Sequence, residues 1–584
     1  MTHDPRNIDT GYEIPSENYC DQPYIVIADD GAWLCVLTTG KGLEGDRGQH
    51  AVSSRSTDQG QSWSPLIDIE SADEPESSWV MPLKVPTGRV YAIYNHNTDK
   101  LEEVVTDSGK TSRVDTLGYF QFKYSDDNGQ SWSKERYEIP LRVTQIDRDN
   151  PYGGKIQFFW GVGKPMIHNG KAYVGFAKVG RFGHGFMATS EGYFLCSENV
   201  LYETDPAKVE WELLPEGEIG LKGVNDVVAD EHNLVGLSDG SLYCTYRTIE
   251  GHPCHAYSRD GGKSWTDPAY MTYTPGGRMV KHPRAANFVR QFSNGKYIYW
   301  FHNNGMKWYN QGPARGSRNV AWLMGGVEKD GYIHWSQPEI LLYEPNEFLG
   351  PSYPDFVEED GRYFVSATQK TVARIHEIDK SLLEDMWNQA ELKSLVEDGL
   401  VVNLSGDAVK AGSVVNLPEI PSLSNDGREN PGQGAGASFS IDFRVRFDNL
   451  DAGQVLLDGR DEAGRGITLT TTERGTVEIS LRDQRMGVTW DTDPGVLQAG
   501  KEHHIAVIVD SGPRIISFVV DGVLCDGGEV RPYGWGRFNR YLQDVNGAGK
   551  LTIAPSLNGE LSVLRLYNRY LRTSEAISNY QSGQ

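Results

Sequence analysis

As far as Asp379 the chain is a succession of short apolar runs set apart by Gly, Asp, Asn and Ser. Runs such as HAVSSR, YFQFKY and PCHAYS are strand-length and bounded by turn residues, which predicts an all-β fold. The stretch Ala229–Trp265 carries a hairpin in which Glu231 and Arg247 flank a Ser238-Asp239-Gly240 turn. The period changes after GRYFVSATQKTVARIHEI. Leu382, Leu383, Met386, Trp387, Ala390 and Leu395 recur at helical spacing behind Asp379 or Ser381 as cap, predicting a connecting helix over 380–397. From about Leu400 the alternation of strands returns, cleanest from Phe439 to Phe447 and followed by Ile505–Val509 and Ile515–Leu524, with an Asp521-Gly522 turn. The Gly-, Asn- and Pro-rich stretch Ser424–Gly436 predicts a surface loop. The expected organisation is thus an all-β domain over 1–379, a helical connection over 380–399 and a second all-β domain over 400–584.

Three segments repeat one pattern: Ser56-Thr-Asp58-Gln-Gly60-Gln-Ser-Trp63, Ser125-Asp-Asp127-Asn-Gly129-Gln-Ser-Trp132 and Ser258-Arg-Asp260-Gly-Gly262-Lys-Ser-Trp265. In each, Asp can bond the backbone of its own turn, Gly supplies a positive φ and Trp packs beneath. Weaker relatives end at Trp211 and Trp335. Such recurrence suggests the blades of a β-propeller. These turns resemble the Asp boxes of the sialidase superfamily, and 1–379 resembles that family's six-bladed propeller. The segment 400–584, closing on GELSVLRLYNRYLRTSEAISNY, is similar to laminin-G-like or concanavalin-like jelly rolls. The expected fold class is therefore all-β: a six-bladed β-propeller followed by a jelly-roll β-sandwich.

Charge narrows the partners. The 584 residues carry a formal net charge of -24, which argues against nucleic acid and anionic membranes, because phosphate binding needs a basic face. A glycan partner is compatible with it. The six cysteines form no C-x-x-C pair and are too scattered for a disulfide framework. The N-terminus shows no apolar signal core and no run is long enough to span a bilayer. Either a cytoplasmic protein or an exported one with its signal removed fits that pattern. No metal motif is present and no cofactor is required; a structural calcium in the jelly roll is implied by the resemblance alone, without a ligand set.

The resemblance assigns roles to particular residues. It implies Tyr353 as nucleophile, Glu231 as the carboxylate that polarises it, and Glu44 or Asp46, in LTTGKGLEGDRGQH before the first repeated turn, as acid/base. It implies Arg247 and Arg318 as substrate clamps, with Arg315 as an alternative to Arg318. A tyrosine replaces the usual carboxylate nucleophile where the anomeric carbon itself bears a carboxylate. One position departs: where the family opens its first blade with an Arg-Ile-Pro-like motif, this chain has Asp21 before Gln22-Pro23. An aspartate repels a substrate carboxylate, and would instead accept hydrogen bonds from sugar hydroxyls. His50, His282, Arg284 and His302 are further candidate pocket residues, with Phe159-Trp160 and Lys281 beside them. Thr368-Gln369-Lys370, with Arg374 and His376, reads as a pocket lining or as a charged blade edge.

These residues together predict an exo-glycosidase of sialidase-like type, releasing a terminal sugar from a glycan. Two alternatives use the same residues. One is a propeller lyase in which Tyr and His move protons beside a uronate; the other is a glycan-binding protein without catalysis.

Overall fold

The computed structural model describes residues 4–107, 109–111, 115, 119–183, 186–307, 318–423 and 437–583. The first part folds into six antiparallel sheets in up-and-down order, four of them with four strands and two with five, the extra strand in those two arising where two edge strands pair with one neighbour. Blade 1 holds Tyr19–Ile27, Trp33–Gly40, His50–Ser56 and Ile67–Asp68. Blade 2 begins at Ser77–Lys84, blade 4 at Asp230–Gly236 and blade 5 at Phe288–Gln291. In blade 3 the first strand is broken into Phe159–Trp160 and Met166–His168, both pairing with Lys171–Gly183. Blade 6 takes Ser352–Glu359, Arg362–Thr368 and Ala373–Ile378 from the chain and borrows its outer strand, Tyr12–Ile14, from the N-terminal end.

First strands of successive blades lie side by side, and that of blade 6 returns to that of blade 1. Trp79 and Trp160, with ring centroids 4.3 Å apart, join blades 2 and 3. The ring is therefore closed, which is how a propeller limits exposed sheet edges.

The three repeated turns join the third and fourth strands of blades 1, 2 and 4, on the outer side. They share one bonding scheme. Gly60, Gly129 and Gly262 donate to Ser56, Ser125 and Ser258 Oγ, each at 2.8 Å, and all three glycines have φ between +79° and +93°. Ser62, Ser131 and Ser264 N–H donate to Asp58, Asp127 and Asp260 Oδ1, each at 2.9 Å.

The predicted connecting helix is shorter than its apolar spacing suggests. It covers Lys380–Trp387, capped by Asp379, and buries Leu382, Leu383, Met386 and Trp387. Ala390 is exposed, and the chain beyond Trp387 is tied to the C-terminal helix Thr573–Gln581 instead. Ser394 N–H donates to Ser578 Oγ (3.1 Å) and Val396 N–H to Asn579 Oδ1 (2.9 Å). These side-chain acceptors offer the backbone a partner that a longer helix would have to give up.

The second part is a sandwich of a seven-stranded and a six-stranded antiparallel sheet. Phe443, Val445, Leu469, Ile479, Phe518 and Leu564 belong to the core between them. The strands Glu502–Asp510 and Ile515–Val520 are buried on both faces. Val507, Val509, Ile516 and Phe518 point into the sandwich, whereas Ala506, Ile508, Ile515 and Val519 join a core that includes Tyr243, Tyr299 and Trp322 of the propeller. The predicted loop Ser424–Gly436 lies outside the described residues. Among the described residues, no helix is long and apolar enough to cross a membrane.

Candidate active site

The site begins with a repeated backbone irregularity. In blades 1, 2, 4 and 6 the first strand slips register, between Asp21 and Tyr24, Ser78 and Met81, Asp230 and Asn233, and Ser352 and Asp355. At each slip one non-glycine residue is left-handed: Gln22 (φ +54°), Trp79 (+60°), Glu231 (+57°) and Tyr353 (+48°). Such residues cost roughly 1–3 kcal/mol each and collect where structure is held for function. Two of the four are the predicted catalytic pair.

Those two meet. Tyr353 Oη donates to Glu231 Oε1 at 3.0 Å, and both side chains are almost completely buried. The same oxygen accepts from Trp160 Nε1 (3.1 Å) and pairs with Arg247 at 2.7 Å. Strand register explains the arginine, because Arg247 lies opposite Asp230, which it also holds at 3.0 Å. Arg284 approaches Asp230 at 3.6 Å and donates to the Met187 carbonyl. Glu231 Oε2 has no hydrogen-bond partner among the described residues. Burial and the Glu231 charge push the Tyr353 phenol up to about 12. Arg247, also buried, is kept charged by Glu231 and Asp230.

Arg318 stands on the other side of the tyrosine, its guanidinium carbon 5.9 Å from the ring centroid and one nitrogen donating to Ser352 Oγ (3.1 Å). Arg315 lies outside the described residues. Lys370 completes the surround: its Nζ is 4.2 Å from the Tyr353 ring centroid, 2.5 Å from Asp21 Oδ2 and 3.2 Å from Glu44 Oε1.

Several expectations change here. Asp21 does not reach outward to a ligand: it is fully buried and accepts from Lys370, Tyr19 Oη (3.0 Å) and the Gln22 N–H (3.0 Å). Burial lifts its carboxyl above the usual range, Lys370 opposes that and Glu44 adds to it. Glu44 and Asp46 separate, for Glu44 points to Lys370 while exposed Asp46 accepts from Leu43 N–H (2.7 Å) in its own loop.

The three histidines bond backbone groups, and His302 Nε2 is buried without a hydrogen-bond partner among the described residues. His50 Nδ1 bonds the Glu70 carbonyl (3.0 Å) at the start of the third strand of blade 1. His282 and His302 are buried and stacked, centroids 5.8 Å apart, with His302 N–H donating to His282 Nδ1 (3.2 Å). That leaves His282 Nε2 to donate to the Ala285 carbonyl (2.8 Å). Burial, helped by Arg247 and Arg318, lowers His282 to about 3 and holds it neutral. Arg374 bonds Gln369 and Glu13 on the blade edge, so only Lys370 of its segment joins the centre.

Asp230 and Trp79 went unrecognised in the sequence. Asp230 could have been found as the carboxylate adjoining Glu231; Trp79 becomes visible only when first strands are aligned blade on blade.

Residues 424–577 match the family model of the concanavalin A-like lectin/glucanases superfamily. No curated protein matches the sequence. Among solved structures, Trypanosoma rangeli sialidase in complex with 2,3-difluorosialic acid is similar over 99% of this chain and 97% of its own, at 14% identity and a TM-score of 0.43. A leech intramolecular trans-sialidase is similar over 64% of this chain and 69% of its own, at 13% identity and a TM-score of 0.45. A protein of unknown function from Dyadobacter fermentans is similar over 63% of this chain and 97% of its own, at 15% identity and a TM-score of 0.44. The chain is an all-β protein, a six-bladed propeller carrying a concanavalin-like sandwich.

Proposed function

We propose that the chain is a sialidase-like glycoside hydrolase that releases a terminal sugar from a glycan. The observation that carries this reading is the 3.0 Å bond from Tyr353 Oη to a glutamate oxygen already held by Arg247 and Trp160. A nucleophile bonded to a base that a third group orients is the arrangement covalent catalysis needs. Tyr353 Oη forms a bond to the anomeric carbon as the glycosidic C–O bond breaks, and its proton passes to Glu231. Glu44 gives a proton to the departing oxygen and then takes one from the water that releases the sugar from Tyr353. Glu44 is preferred to Asp46 because Lys370 connects it to the nucleophile, whereas Asp46 serves its own loop.

Arg318, which pairs with no carboxylate among the described residues, is the cation offered to an acidic substituent. The side-chain amide of Gln22, buried and without a hydrogen-bond partner among the described residues, suits sugar hydroxyls. The lyase reading gains nothing from His282, whose two ring nitrogens are taken by the His302 N–H and the Ala285 carbonyl.

A panel of methylumbelliferyl and 4-nitrophenyl glycosides, with sialyllactose, tests the proposal. Turnover of at least one that disappears in Glu231→Gln and Tyr353→Phe is expected. Inactivity on every glycoside, with a uronate polymer cleaved to an unsaturated product, would replace the hydrolase by the lyase. Binding of a glycan without any turnover would replace it by the non-catalytic binder.

A further inference from the structure

Lys370 occupies a position that the fold maintains at a cost. It sits in the turn between Arg362–Thr368 and Ala373–Ile378 and is left-handed, with φ +75°, although it is not glycine. Its N–H donates to Thr368 Oγ1 (2.8 Å) and its carbonyl accepts from Cys20 N–H (2.9 Å), so its backbone is fastened to both blade 6 and blade 1. The side chain reaches inward, about three-quarters buried, with 24% exposure. Its ammonium lies 4.2 Å from the centroid of the Tyr353 ring.

The anions that hold it there come from elsewhere. Asp21, itself fixed by Tyr19 and Gln22, binds the ammonium at 2.5 Å, and Glu44 binds it at 3.2 Å. Burial works against the charge of Lys370, and the two carboxylates outweigh it. Two other cations stand by the catalytic pair. Arg247 is committed to Glu231 and Asp230 and cannot follow charge onto the phenol oxygen without leaving them. Arg318 lies farther off, its guanidinium carbon 5.9 Å from the ring centroid.

We propose that Lys370 is a positioning residue for Tyr353, a fixed cation against the ring that stabilises the phenolate form of the tyrosine, with Asp21 as its anchor. A positive charge within about 4–6 Å of a titrating group favours its anionic form by about 1–3 pH units. A phenol destined to attack and later to leave as phenolate gains in both steps from a charge that needs no reorganisation. The same ammonium touches Glu44, so one cation neighbours both the nucleophile and the acid/base. This role rests on the hydrolase reading for its purpose, but its physical content does not need a substrate.

The test places a multiply fluorinated tyrosine at position 353 of the full chain, the fluorine substituents making the phenol acidic enough to follow by 19F NMR. Titration midpoints are compared in the parent, Lys370→Met and Lys370→Arg. Lys370→Met should titrate at least about one pH unit above the parent, and Lys370→Arg, which keeps the charge, should stay close to it. Equal midpoints in the parent and Lys370→Met overturn the proposal. So does the absence of any titration below the pH at which the fold is lost. If Lys370→Met fails to fold, as judged by circular dichroism, Asp21→Asn decides. Releasing the ammonium from its anchor should raise the midpoint in the same direction as Lys370→Met, and an unchanged or lowered midpoint is fatal to the idea.

The two readings fail separately. A shifted midpoint in a chain inactive on all glycosides supports the role of Lys370 and removes the hydrolase. Glycoside turnover with an unshifted midpoint does the reverse.

Discussion

At the scale of single residues, Glu44 and Asp46 stand two positions apart in one loop and have different neighbours. General acid catalysis contributes about 10²–10⁴-fold, so Glu44→Gln should lower kcat by that range on a glycoside with a poor leaving group. The loss should be much smaller on a 4-nitrophenyl glycoside, whose phenolate departs without a proton. Asp46→Asn should leave both rates within about threefold, because Asp46 bonds only its own loop. The opposite order in steady-state assays of the two variants would reassign the acid. The sequence could offer both carboxylates without choosing, since the choice depends on Lys370, more than three hundred residues away and brought in by ring closure. It also left Asp21 facing a ligand. A chain read residue by residue shows a missing arginine but not a lysine from the neighbouring blade that turns the aspartate inward.

Among the elements, the repeated turns were legible in full because each is local, and every bond in the scheme joins residues at most four apart. They belong to the scaffold. Asp58→Ala removes bonds to Ser56 and Ser62 and should lower stability by about 1 kcal/mol in thermal melts. Turnover per folded molecule should be unchanged, because the turn follows the third strand and the catalytic pair sits on first strands. A large fall in kcat at unchanged stability would show that the turn reaches the site. The bulges that place Gln22, Trp79, Glu231 and Tyr353 were not legible. Their residues differ in type from blade to blade, and a left-handed φ at a glutamate or tryptophan has no compositional signal. The helix after Asp379 shows a third case: its apolar stripe gave the start, but its end depends on Ser578 and Asn579, residues close to the other end of the chain.

In the molecule as a whole, propeller and sandwich share one core, and the apolar runs at 505–509 and 515–520, the second interrupted only by Ser517, are the trace of it in the sequence. A strand with one wet face alternates; these two do not, because both faces are covered. The junction carries a titrating group. Glu339 of the propeller accepts from the N–H groups of Thr573 (2.9 Å) and Ser574 (2.7 Å), and burial raises its pKa from 4.5 to about 7. The unfolded chain therefore releases this proton before the folded one does. Its contribution to stability is complete below about pH 4.5 and declines as pH rises towards 7. Glu339→Gln should gain in melting temperature on the parent over that interval and hold the gain above it; a difference independent of pH would refute the assignment. Polar contacts bind the same junction. Arg6 reaches Asp510 through two bonds, of 2.6 and 3.1 Å, and stacks 3.9 Å from the Tyr570 ring centroid. Lys281 donates to the carbonyls of Asp526, Gly528 and Arg531, and Trp535 Nε1 to that of Asn303 (3.0 Å). Removing the acid from a buried pair costs about 3–5 kcal/mol, so Asp510→Ala should destabilise the full chain towards the lower end of that range, because Asp4 is left to Arg6. Truncation to 1–399 removes the apolar cover from Trp322, Ile340 and Leu342 as well. That fragment should aggregate or melt well below the full chain in light scattering and calorimetry. A soluble, monomeric fragment with the parent's melting temperature would instead make the sandwich a separable module, and weakened affinity of that fragment for polymeric glycan would then identify what the module binds.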